Sequence, residues 1–77
     1  MFSEKQSKTV KGIIVLLREG GFEKDIQKCF SGIQIDSIRK ISGNVFKVTF
    51  TRDIVFRNVE EIVKNCAMIT HVQTDLI

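Results

Sequence analysis

The stretch ISGNVFKVTF, residues 41–50, alternates its side chains so that Phe46, Val48 and Phe50 fall on one face and Val45, Lys47 and Thr49 on the other. That period belongs to a β-strand with one buried face, and it assigns Phe46, Val48 and Phe50 to the core. The run before it, IQIDSIRKI at 33–41, is also strand-like. Ser42 and Gly43 separate the two, so the pair reads as a β-hairpin. Further toward the N-terminus, Phe22, Ile26, Cys29 and Phe30 recur at the spacing of an amphipathic helix, and Gly32 stands where such a helix ends. Ahead of them TVKGIIVLL, residues 9–17, is β-branched and apolar and stops at a Gly-Gly turn, giving a first strand. Toward the C-terminus, Thr51 or Asp53 is placed to cap a second helix with the stripe Phe56, Val59, Val63 and Cys66, Ile62 beside it. The closing THVQTDLI puts Val72, Thr74 and Leu76 on one face of a last strand.

The order is β-α-β-β-α-β. Right-handed crossovers then place both helices on one face of a four-stranded antiparallel sheet, an α+β sandwich of the ferredoxin-like kind, and leave the other face open. Lys11 is expected to be exposed, and the parity it sets sends Val10, Ile14 and Leu16 inward and Ile13, Val15 and Leu17 outward. The expected open face therefore has Ile13, Val15, Val45 and Lys47 at its centre. Residues 1–8 read as an arm and residues 9–77 as a single domain. The strand pattern runs to Leu76 and Ile77, which suggests a piece excised from a longer protein.

Composition narrows the function classes. Seventy-seven residues make one domain near the size at which a single core just suffices, so most apolar residues are committed to packing and little room is left for an enclosed active site. A 43% hydrophobic fraction with six Phe and neither Trp nor Tyr fits an ordinary globular domain. The longest apolar run, residues 13–17, is far short of the roughly 18 a membrane span needs. The start MFSEKQSK lacks the apolar stretch of a secretory signal. Cys29 and Cys66 are distant in sequence and lie on helical apolar stripes, which points to free, packed thiols and an intracellular setting, cytoplasm or nucleus, with a disulfide as the alternative.

The net charge of +3 is unevenly spread. Arg39, Lys40, Lys47, Arg52 and Arg57 face only Asp53 between residues 39 and 57, whereas Glu60, Glu61 and Asp75 outnumber Lys64 beyond residue 58. A local basic surface attracts phosphates or acidic partners. A solvated face that keeps the domain soluble has the same appearance.

The segment FEKDIQKCFSGIQIDSIRKI resembles the first helix and second strand of the RNA-recognition motif, with Asp25, Ile26 and Phe30 at the matching positions. GNVFKVTF stands where that family has its octamer, and GIIVLL where it has its hexamer. The resemblance spans about Lys8 to Ile77 and implies the same fold and a sheet face that binds single-stranded nucleic acid. Family positions that carry base-stacking aromatics are Ile13, Val45 and Lys47 in this chain. Gly43 takes the place of the octamer's leading basic residue, and Asn44 and Phe46 the places of its glycines. Such a loosely matching domain is similar to the divergent versions in retroelement Gag-like and first-open-reading-frame proteins.

Three roles follow. The first is a non-enzymatic nucleic-acid-binding module, RNA or DNA, in which Lys11, Arg39, Lys40, Lys47 and Arg52 contact phosphates while Ile13 and Val45 support a base or sugar. The second is a protein-interaction or homodimerisation module that uses the aliphatic sheet face. The third is a small-ligand regulatory domain of the ACT type, which shares this strand order; REGGF resembles its first loop and IVKNCAMITHVQTDLI its last helix and strand. Catalysis has little to stand on. His71 is the one His, with no acid or nucleophile that the sequence places beside it. Cys29, Cys66 and His71 lack the paired spacing of a zinc site, so no metal or cofactor is expected. REGGF lacks the Lys-Ser/Thr of a phosphate cradle, and Glu60 and Glu61, adjacent on a helix, point apart.

Overall fold

The structure, a computed structural model, describes residues 8–74. The chain forms β1 (Thr9–Leu17), α1 (Glu23–Cys29), β2 (Ile35–Ser42), β3 (Val45–Val55), α2 (Phe56–Lys64) and β4 (Ile69–Thr74). The strands lie in the order β2-β3-β1-β4, each antiparallel to its neighbour. This is the α+β ferredoxin-like architecture that the order of periodic segments requires. The residue 1–7 part of the arm, and Asp75, Leu76 and Ile77 of the last strand-like run, lie outside the described residues.

One core joins sheet and helices. Phe46, Val48 and Phe50 of β3 are buried beside Ile13, Val15 and Leu17 of β1 and Ile69 of β4, and Ile26, Phe30 and Val59 cover them from the helical side. Each such side chain contributes roughly 1.5–3 kcal/mol by leaving water. Phe30 and Phe50 meet edge to face with centroids 5.9 Å apart, tying the end of α1 to β3. Phe56, Ile62 and Val63 of α2 pack against the same core, and so does Cys66, which lies past the end of the helix rather than on its expected stripe. The hairpin closes where Ser42 pairs with Val45, so the turn is Gly43-Asn44, and Gly43 takes φ +47° there.

The parity expected for β1 is reversed. Ile13, Val15 and Leu17 point inward, while Ile14 and Leu16 face out and only Val10, of the expected inward set, touches the core. The cause is a slip in the β1–β3 ladder: Val10 stands opposite Ile54 but Gly12 opposite Thr49, so between these pairs Lys11 alone is set against residues 50–53 of β3. Lys11 sits inside that irregularity. Its exposure fixes the face of nothing beyond it, and the strand re-enters the ladder on the opposite parity.

Other boundaries move for local reasons. Phe22 is the N-cap of α1 and lies outside its buried stripe, two-thirds exposed at 67%. The helix ends at Cys29, ahead of Gly32. β3 runs on through Thr51 and Asp53, so neither caps α2; Val55 is the N-cap, and the Phe56 N–H donates to the Lys8 carbonyl at 2.8 Å. Cys29 and Cys66 are bonded to each other across a Cα separation of 5.9 Å, in place of the free thiols expected. The bridge links the end of α1 to the segment just past α2.

Candidate nucleic-acid interface

The uncovered face of the sheet can be read from the ladder. One row across it runs Arg39, Lys47, Ile14, Gln73, and the next runs Ser42, Val45, Leu16, His71; Ser37, Thr49 and Gly12 begin a third. Alternation in β3 fixes the side: Phe46, Val48 and Phe50 are buried beneath the helices, so Val45, Lys47 and Thr49 rise from the other surface. The centre is aliphatic, made by Ile14, Leu16 and Val45, with Leu16 39% exposed. The β2 side is basic and hydroxylic. These paired positions hold no carboxylate.

Arg39 and Lys47 stand directly opposite each other in the β2–β3 ladder. The register thus gathers positive charge at one point of the open face. Beside them the ladder puts Ser37 next to Thr49, and a hollow of about 600 Å³ is lined by Ser37, Ile38, Arg39, Lys40, Lys47 and Thr49. Three cations and two hydroxyls lining one shallow hollow form a donor set for an anionic oxygen group.

The expected contact residues separate accordingly. Arg39, Val45 and Lys47 share the open face. Lys40 pairs with Phe46, on the helical side of β2, and lines hollows on both sides of that edge strand. Lys11 and Arg52 are exposed at the slip between β1 and β3, away from the regular rows. Ile13 is a correction: it is 0% exposed and belongs to the core, and Ile14, opposite Lys47, holds the outward place assigned to it. Ile14 and Leu16 were therefore missed as face residues, whereas Thr49 takes the outward place its alternation assigned. Gly12 was the available signal, because a glycine inside a strand pattern marks a bulge, and a bulge resets parity.

His71 is exposed on β4, opposite Leu16 at the sheet edge. Among the described residues no group of three or more His, Cys, Asp or Glu could hold a metal ion, and no helix is long and apolar enough to cross a membrane. No family model, curated protein or solved structure matches this chain.

Proposed function

We propose that the domain is a non-enzymatic module that binds single-stranded nucleic acid on its open sheet face, in the manner of a divergent RNA-recognition motif. The observation that carries the reading is the opposed pair Arg39 and Lys47 in a hollow shared with Ser37 and Thr49. Phosphate oxygens accept from the two cations and the hydroxyls, and the aliphatic centre of Ile14, Leu16 and Val45 lies under the sugar or base. Lys40 extends the basic strip over the β2 edge. The face has no Phe, Tyr or Trp among its paired positions, and its one ring, the His71 imidazole, stands at the β4 edge, so affinity at the centre comes from the backbone and carries little base preference. An intracellular site of action, cytoplasm or nucleus, belongs to this reading through its nucleic-acid partner; the argument from free cysteines lapses with the disulfide.

A salt series tests it. Fluorescence anisotropy with a labelled single-stranded RNA is expected to show binding at low salt that weakens steeply as salt rises. Absence of binding at low salt contradicts the reading. The row Val45–Leu16, with Leu16 partly exposed, favours a second reading in which the aliphatic face docks a protein or a second copy of the domain. That reading predicts concentration-dependent sedimentation that persists in high salt.

A further inference from the structure

We propose that the hollow between the start of α1 and the β2–β3 hairpin tip is a nucleobase-stacking site, with Phe22 as its platform and Lys24 and Lys40 as its phosphate contacts. The proposal rests on the nucleic-acid reading above and adds a place where a base, rather than the backbone, is held.

Phe22 is the one aromatic residue among the large exposed hydrophobics of the described chain, at 67% exposure. Its position is unusual for its chemistry, since an N-cap is normally a short polar side chain that accepts a helix N–H. Here the capping work is done by Asp25. Its carboxylate Oδ2 accepts the Phe22 N–H at 2.8 Å, and its own N–H donates to the Phe22 carbonyl at 2.9 Å. The backbone of Phe22 is thus held from both sides while its side chain stays largely in solvent, outside the core.

The approach to Phe22 is equally fixed. Gly20 turns at φ +89°, and the Gly21 N–H donates to the Arg18 carbonyl at 2.9 Å. The Arg18 N–H in turn donates to the Met68 carbonyl at 2.8 Å. A Cβ on Gly21 would lie 3.0 Å from the Leu17 Cβ and 3.1 Å from the Arg18 oxygen, so the turn is packed against β1 without slack. An aromatic ring on a rigid mount loses little freedom when a base stacks on it.

The ring forms one wall of an open hollow of about 790 Å³, whose floor includes the nearly buried Phe46. Lys24 comes from α1 and Lys40 from β2 across the hollow, so an anion can be met from both walls. Gln27, Asn44 and Glu23 add amide and carboxylate groups of the kind that read base edges. An aromatic surface beside two cations and edge-reading groups has the chemistry of a nucleotide. Lys40 also lines the hollow that holds Arg39 and Lys47, so a strand lying on the sheet face can pass over the β2 edge and leave one base against Phe22.

The test is an amide chemical-shift titration of the whole chain at low salt, with a short single-stranded RNA and with an abasic ribose-phosphate strand of the same length. The RNA is expected to shift Gly21, Phe22, Gln27 and Asn44 together with Ser37, Arg39, Lys47 and Thr49. The abasic strand is expected to shift only the second set. Phe22→Leu, which keeps apolar bulk without the π-face, is expected to weaken RNA binding about tenfold while Phe22→Tyr binds as the natural chain does. Shifts on the sheet face alone, equal hollow shifts with the abasic strand, or an unaffected Phe22→Leu overturn the stacking site and leave the backbone reading standing. Base-dependent shifts in the hollow without any at Arg39 and Lys47 uphold the site and overturn the backbone reading. No response anywhere overturns both.

Discussion

Arg39 and Lys47 stand opposite one another on the open face of the sheet, and that concentration of positive charge is the residue-scale basis of the functional reading. Gly21 makes the same kind of argument for structure. It is buried, and any Cβ there meets the Leu17 Cβ, the Arg18 oxygen and the Met68 Cε, all at 3.0–3.1 Å. Met68 can move its terminal carbon, but the other two contacts are fixed by β1 and its turn. Gly21→Ala is therefore expected to cost about 1–3 kcal/mol, lowering the melting temperature by several degrees in calorimetry. An unchanged melting temperature would show that the turn has room. Phe22 shows what a residue pattern can misplace. Its spacing from Ile26 and Phe30 is that of a helical stripe, yet it precedes the first helical residue, where the backbone is extended and the side chain turns out.

Among the elements, β1 decides which residues can touch a ligand. The identity and order of all six elements were legible in period and turn residues, because Phe46, Val48 and Phe50, the Gly-Gly turn and the two helical stripes each obey one local rule. The face of β1 was not legible from Lys11, since the slip at Gly12 depends on how far β3 bows past it, a property of the pair rather than of either strand. The reversed parity gives a direct expectation. Ile13→Ala should cost about 2–5 kcal/mol in denaturant unfolding, and Ile14→Ala less than about 1 kcal/mol. Equal costs, or the reverse order, would contradict the register. α1 is the other dependent element: it is seven residues long, too short to persist alone, and is held by Ile26, Phe30 and the Cys29–Cys66 bridge. A cross-link spanning 37 residues stabilises by about 2–4 kcal/mol in the loop-entropy account. Adding a dithiol reductant should accordingly lower the urea midpoint, and the double substitution Cys29→Ser with Cys66→Ser should make the midpoint insensitive to reductant. A natural chain whose midpoint ignores reductant would mean the bridge contributes nothing.

The whole molecule puts its two surfaces to different uses. The helical face of the sheet is consumed by packing, as expected of a chain near the lower size limit for a single core. The other face keeps an aliphatic centre and a basic β2 side. The modest net charge of +3 understates this, because Arg39, Lys40, Lys47 and Arg52 lie on β2 and β3, whereas Glu60 and Glu61 lie on α2. The basic cluster was legible in the sequence. Its division into Arg39 and Lys47 on the face, Lys40 astride the edge, and Lys11 and Arg52 at the slip required the ladder. The most direct test of a phosphate-binding sheet face is the salt dependence of affinity for single-stranded RNA, measured on the natural chain and on the double variant Arg39→Gln with Lys47→Gln. Each lost phosphate contact removes about 0.7 from the slope of log affinity against log salt, so the variant should bind more weakly at low salt with a slope shallower by roughly 1.4. Identical slopes and affinities in the two proteins would contradict the account.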